Sequence, residues 1–222
     1  EKHGLKIDFR PFIKVEGVTA SEFRNQRINL ADYTAVLLTS KVAADHFFRI
    51  AEETRFEVPD SMKYFCISEA VAYYLQKYVA YRKRKIFFGK QTIVDLVDVL
   101  KKHKKETFLL PCTDRLRDNI PLTLGSNNLK FTKAVLYRTV ASDLSDLENV
   151  YYDMLVFYSP GGIESLLKNF PNFKQNDTVI AAFGPTTANA IVKNNLRLDL
   201  HAPQPNAPSM TGAIELFVKD KN

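Results

Sequence analysis

Tyr33-Thr34-Ala35-Val36-Leu37-Leu38-Thr39-Ser40 returns 119 residues later as Tyr152-Asp153-Met154-Leu155-Val156-Phe157-Tyr158-Ser159. Each copy is a short apolar run that closes on a serine. Each is followed by a helical pattern, with Phe47 and Phe48 in the first copy and Leu166 and Leu167 in the second. The echo continues in order. Phe65-Cys66-Ile67-Ser68-Glu69-Ala70-Val71-Ala72 matches Ala181-Ala182-Phe183-Gly184-Pro185-Thr186-Thr187-Ala188 at a shift of 116, and Thr92 to Leu100 matches Ser209 to Phe217 at a shift of 117. A repeat of this kind predicts two equivalent α/β domains.

Outward from these copies, β-branched or aromatic runs alternate with helical patterns. Strands are expected near Leu5 to Ile13, Ala35 to Thr39, Lys63 to Ile67, Ile86 to Phe88, Thr107 to Leu110, Leu129 to Leu136, Met154 to Tyr158 and Thr178 to Phe183. Thr92 to Leu100 shows how the helices read, with Ile93, Leu96, Val97 and Leu100 on one face and Asp95 and Asp98 on another. Alternation of this kind predicts parallel sheets covered by helices on both faces. Leu5-Lys6-Ile7 also echoes Leu129-Lys130-Phe131, yet the second of these follows a strand and helix, residues 106 to 127, that the first lacks. The expectation is that about 22 upstream residues, one strand and one helix, are missing from the chain shown; without them a sheet edge is left bare.

Length and composition agree with two modest globular domains. The chain has 222 residues, 45% of them apolar and 25% charged, which excludes collagen-like, low-complexity and disulfide-framed classes. No apolar run approaches the roughly 18 residues needed to span a bilayer, and Glu1-Lys2-His3 opens no secretory pattern, so a cytoplasmic protein is expected. Cys66 and Cys112 sit among strand-like apolar residues, where a thiol behaves as a small hydrophobe. The net charge is +6, but it is regional: Lys77 to Lys105 holds ten Lys or Arg against two Asp, leaving about −2 for the rest. Such a stripe could attract nucleic acid or a many-carboxylate metabolite. Its members, Arg82 to Lys85 before a strand and Lys101 to Lys105 after a helix, also stand where solvated charge ordinarily collects. No RNA-binding aromatic signature follows, so nucleic acid is not expected as a partner.

Candidate site residues lie where a strand ends in Ser or Gly and turns directly into a helix. The carboxyl ends of parallel strands line ligand crevices, and an opened helix offers unpaired N–H groups that suit anions. Four turns qualify: Ser40-Lys41-Val42, Ser68-Glu69-Ala70, Ser159-Pro160-Gly161-Gly162 and Gly184-Pro185-Thr186-Thr187. Taken singly, each is also an ordinary helix start, with Ser or Thr as cap and Pro as initiator. Four in matched positions on two domains predict a cleft whose amides surround a multivalent anion. The four histidines, His3, His46, His103 and His201, have no metal-ligand spacing, and neither a dinucleotide fingerprint nor a P-loop occurs.

Phe157-Tyr158-Ser159-Pro160-Gly161-Gly162-Ile163-Glu164-Ser165-Leu166, Ala182-Phe183-Gly184-Pro185-Thr186-Thr187-Ala188-Asn189-Ala190 and then Ala202-Pro203 resemble the uroporphyrinogen-III synthase family. Upstream, Val36-Leu37-Leu38-Thr39-Ser40, Leu109-Leu110-Pro111 with Arg117-Asp118, and Val135-Leu136-Tyr137-Arg138-Thr139-Val140 resemble the family's first-domain strand end, mid-chain strand and helix, and return linker. The resemblance implies two similar parallel-sheet α/β domains, one inserted into the other. It places residues 1–13 and 139–222 in the first, 18–133 in the second, and 14–17 and 134–138 in a two-stranded linker. It implies a monomer that acts on one small-molecule substrate, hydroxymethylbilane, cyclised with loss of water and inversion of ring D, with no metal and no cofactor. Tyr137 is the candidate proton or hydrogen-bond donor to the departing hydroxyl, Thr187 a group that orients it, and the four turns the carboxylate grip.

The chain also departs from the family pattern. Ser68-Glu69-Ala70-Val71 stands where Gly-x-x-Thr is usual, so a carboxylate occupies a helix start meant for anions. Lys41 replaces a frequent Pro and adds a cation, and Cys112 replaces a frequent Arg. The alternative to an enzyme is a bilobed binding protein that closes on a polycarboxylate without chemistry.

Overall fold

Ala35, Val36, Leu37 and Leu38 are all buried, yet they point two ways. Ala35 and Leu37 join one apolar cluster with Phe65, Leu96 and Leu110, while Val36 and Leu38 join another with Phe47, Tyr64 and Cys66. Successive strand residues face opposite sides, so this strand lies inside a sheet covered on both faces. The structure, a computed structural model, describes residues 4–116 and 118–221. Arg117, quoted above for the family resemblance, lies outside the described residues, as does His3.

The chain divides into two units, residues 15–139 and residues 1–14 with 140–222. The first holds a sheet in the order β1-β6-β5-β2-β3-β4. Its strands are β1 (Ile13–Gly17), β2 (Ala35–Leu38), β3 (Lys63–Cys66), β4 (Ile86–Phe88), β5 (Phe108–Thr113) and β6 (Phe131–Ala141). The chain crosses from one unit to the other within β1 and β6. β2, β3, β4, β5 and β6 pair in parallel, with Leu38 opposite Cys66 and Ala35 opposite Phe108. One face is covered by α1 (Ala20–Asn25), α2 (Lys41–Glu53) and α3 (Glu69–Tyr74) through Phe23, Phe47, Ile50 and Val71. The other is covered by α4 (Val97–Lys102), the 3-10 turn before it, and α5 (Asn119–Ser126), through Ile93, Leu96, Leu100, Ile120 and Leu124. The two cysteines are free, and they belong to opposite faces.

The second unit repeats the plan element for element. β7 (Met154–Phe157), α6 (Pro160–Asn169), β8 (Val179–Phe183), α7 (Pro185–Lys193), β9 (Leu200–Ala202) and α8 (Met210–Lys221) follow one another as β2, α2, β3, α3, β4 and α4 do. The three strands are parallel in the order β7-β8-β9. Ile180 and Ala182 pack on α6 and α7, whereas Ala181 packs under Met210 and Ala213 of α8. Among the described residues β7 has one strand neighbour; β2, its counterpart, lies between β5 and β3. Among the described residues no helix is long and apolar enough to cross a membrane.

One strand expectation fails. Residues 5–11 form no strand; β1 starts only at Ile13, and Leu5, Ile7 and Phe9 are 42%, 66% and 89% exposed. Their alternation is strand-like, but an isolated extended segment has no ladder to fill its backbone groups. Two others run longer than expected, β5 to Thr113 and β6 to Ala141. β5 tolerates Pro111 because its pairing with β2 ends at Leu109, before the residue that has no N–H to offer.

Candidate active site

Because Leu38 pairs with Cys66 at the carboxyl ends of β2 and β3, the turns into α2 and α3 are neighbours. Phe157 and Ala182 pair in the same way, so the turns into α6 and α7 are neighbours in the other unit. Ser40, Lys41, Val42, Ser68 and Glu69 thus gather in one unit. Ser159, Pro160, Gly161, Gly184, Pro185, Thr186 and Thr187 gather in the other.

The two helix starts of the 15–139 unit differ. Ser40 caps α2, its Oγ accepting the Ala43 N–H at 3.0 Å. Lys41 is exposed with its ammonium 5.4 Å from the centre of the Tyr74 ring, a cation–π contact that points the charge along α3, and Val42 turns inward against the core. Asp45, one turn on, accepts hydrogen bonds from Tyr74 at 2.7 Å, from Lys77 at 3.3 Å and from Tyr78. Burial works to raise that carboxyl, but the Tyr78, Tyr74 and Lys77 bonds outweigh it and hold it ionised. Ser68 makes no side-chain cap, α3 has only six residues, and Glu69 is exposed in its first turn. An anion approaching that start meets a carboxylate, so Ser68 and Glu69 are poorly suited to the carboxylate grip expected of them.

In the other unit both starts are open. Neither Ser159 nor Gly184 makes a side-chain cap, and Pro160 and Pro185 initiate their helices. Gly184 has φ +83°, a left-handed conformation that favours glycine. A Cβ at Gly162 would lie 2.9 Å from the Phe157 ring, whereas one at Gly161 would meet Ile13 at 3.5 Å, an ordinary contact. Thr186 is exposed but Thr187 is 1% exposed. The more accessible hydroxyl of this turn is therefore that of Thr186, while Thr187, the residue expected to orient the leaving group, is buried.

Tyr137 sits on β6 opposite Thr113, just past a register shift in β5 that follows Cys112. It is 9% exposed. Burial raises its pKa, and a hydrogen bond with the Ser40 side chain works the other way. Burial therefore favours the protonated phenol. The Tyr137 ring is stacked on His46, with centroids 5.1 Å apart and planes at 17°. Arg49 Nε donates to His46 Nδ1 at 3.1 Å, and Arg49 Nη2 donates to the carbonyls of Val18 at 2.8 Å and Leu136 at 3.2 Å. Cys112 is buried, and burial pushes its thiol up to about 11, so this position supplies no charge. Among the described residues no group of three or more His, Cys, Asp or Glu side chains is placed to hold a metal ion.

The profile of the family HEM4, uroporphyrinogen-III synthase HemD, matches residues 1–212. The chain belongs to the uroporphyrinogen-III synthase family. A curated member from Saccharomyces cerevisiae is 28% identical over 119 residues, which is 47% of this chain and 43% of the yeast protein; the match spans less than half of that relative's length. The solved uroporphyrinogen-III synthetase of Helicobacter pylori covers 94% of this chain and is itself covered over 90%, with 18% identity and a TM-score of 0.60. A mutant uroporphyrinogen III synthase from the extremely thermophilic bacterium Thermus thermophilus gives 96% and 88% coverage, 15% identity and a TM-score of 0.50. These likenesses show the fold. Within this family member, His46 and Arg49 are the site neighbours that sequence reasoning passed over. Their signal was the i, i+3 spacing on one helix, extended by Glu53 four residues further, which Arg49 Nη1 reaches at 2.6 Å.

Proposed function

We propose that the chain is a uroporphyrinogen-III synthase, a cyclising lyase that converts hydroxymethylbilane to uroporphyrinogen III with inversion of ring D and loss of water. The observation that carries this reading is the family match along residues 1–212. The reaction breaks the carbon–oxygen bond of the terminal hydroxymethyl group, and the oxygen leaves as water once it takes up a proton. Ring closure returns a proton, from the pyrrole carbon that forms the new bond, so acid and base balance over the cycle.

Tyr137 is the group assigned to meet the leaving oxygen, because burial keeps its proton on. Within its own unit each set of helix starts is a candidate to receive substrate carboxylates: Ser159, Pro160, Gly161, Gly184, Pro185 and Thr186 at the open starts of α6 and α7, and Ser40, Lys41 and Val42 at the start of α2. Each start contributes about 0.3–1 kcal/mol through the helix dipole. Holding a flexible chain in a ring-ready form is the larger part of catalysis in this reading. The exposed Glu69 on short α3 is left out of the grip. We further propose a monomer, acting in the cytoplasm; the two free, buried thiols support the compartment.

The test is the isomer formed from hydroxymethylbilane, which closes to the type I ring when left alone. The chain is expected to give type III. A product mixture indistinguishable from the enzyme-free control overturns the reading; tetrapyrrole binding in that same sample identifies the non-catalytic binder instead.

A further inference from the structure

Tyr137 does not stand alone. Its ring lies against the His46 imidazole, 5.1 Å between centroids and 17° between planes. The imidazole is fixed from behind, since Arg49 Nε donates to Nδ1 at 3.1 Å. A nitrogen that accepts carries no hydrogen, so this geometry selects the neutral tautomer with its hydrogen on Nε2. Burial favours the same neutral form, and the Arg49 charge adds to it.

Arg49 is anchored in turn. Its Nη2 meets the carbonyl of Leu136, the residue before Tyr137, and that of Val18, whose own N–H donates to the Leu136 carbonyl at 2.9 Å. Its Nη1 is paired with Glu53 at 2.6 Å. The guanidinium lies so close to Gly17 that a Cβ there would fall 2.8 Å from Nη2. A chain of contacts thus runs from the Val18 and Leu136 carbonyls through Arg49 and His46 to the Tyr137 ring. No member of that chain other than Tyr137 has a role in the proposed reaction.

We propose that neutral His46 is the positioning residue for the Tyr137 phenol, with Arg49 as the clamp that orients it; the proposal rests on Tyr137 being the proton donor. The flat face of the imidazole removes the swing of the phenol ring, so its hydroxyl is held at one point. The stacked face performs this function, and any flat ring that fits will replace it.

The experiment measures kcat and KM for type III formation in four proteins besides wild type: His46→Ala, His46→Phe, Tyr137→Phe and the His46→Ala/Tyr137→Phe double variant. Tyr137→Phe is expected to lower kcat about 100-fold, the low end for a lost acid. His46→Ala is expected to lower kcat about tenfold through misplacement, with KM within about twofold. His46→Phe restores kcat to within about threefold of wild type, because the stack returns. His46→Ala made on top of Tyr137→Phe costs less than about twofold, since no hydroxyl is left to position. A wild-type rate in His46→Ala, a His46→Phe protein as slow as His46→Ala, or an undiminished loss in the double variant overturns the positioning role alone. A wild-type rate in Tyr137→Phe overturns this role and the assignment of Tyr137 together.

Discussion

Of the three glycines at the open helix starts, two are held there by different constraints and one by none. Gly162 is fixed by packing: the Phe157 ring, buried and held edge-on by Phe12 at 5.7 Å, leaves no room for a Cβ at 2.9 Å. Gly184 is fixed by its φ of +83°, with open space around it. Gly161 is fixed by neither. Urea unfolding of the three alanine variants separates these reasons. Gly162→Ala is expected to cost about 1–3 kcal/mol by overpacking and Gly184→Ala about 1–3 kcal/mol by strain, its φ of +83° with ψ of 154° being a region essentially confined to glycine, while Gly161→Ala stays within about 0.5 kcal/mol of wild type. A Gly162→Ala protein as stable as wild type contradicts the packing described. At this scale the sequence showed the turns plainly, because Ser-Pro-Gly and Gly-Pro-Thr-Thr announce a helix start by residue type. Which hydroxyl of Thr186 and Thr187 is open was not legible, since adjacent residues in a first helical turn differ only in the face they present. The His46–Arg49 clamp was hidden for a different reason: its partners are carbonyls of Val18 and Leu136, and backbone atoms leave no mark in a sequence.

Helix α2 and helix α6 occupy matching places in the repeat but begin differently. Ser40 accepts the Ala43 N–H, whereas Ser159 caps nothing with its side chain. Ser40→Ala is therefore expected to lower stability by about 1–2 kcal/mol through the lost cap. Ser159→Ala is expected to change it by less than about 0.5 kcal/mol. Thermal melts of the two variants in parallel check this, and equal losses contradict it. The buried strands β2, β3 and β8 were readable because short apolar runs between helical patterns admit few other readings. The helix expected over residues 92–100 is a 3-10 turn at Val94–Leu96 running into α4, and its expected inner face of Ile93, Leu96, Val97 and Leu100 is buried. The segment Leu5 to Phe9 misled because alternation states which face a strand would present, and is silent on whether a partner strand exists.

Across the whole chain the repeat is the organising fact, and it was visible from spacing alone: the 119-residue shift carries Ala35–Leu38 onto Met154–Phe157. The basic stripe lends itself to a structural explanation. Arg82 pairs with Asp60 at 3.4 Å, Lys77 with Asp45 at 3.3 Å, and Lys85 reaches the Asp60 carbonyl. Lys101 and Lys102 end α4, where cations complement the dipole, and the chain from there leads into the amino end of β5. That end of the sheet is opposite the carboxyl ends where the candidate turns lie, so Lys101 and Lys102 stand away from those turns, whereas Lys77 shares the Tyr74 ring with Lys41. What remains central is the proposal that the Tyr137 phenol, whose proton is kept by burial, meets the leaving oxygen. The most direct measurement is the type III to type I ratio formed from hydroxymethylbilane by wild type and by Tyr137→Phe at equal protein concentration. The account predicts mainly type III from wild type and a product shifted toward type I from Tyr137→Phe, as unassisted closure overtakes the slowed enzyme. A Tyr137→Phe protein that matches the wild-type ratio and rate contradicts it.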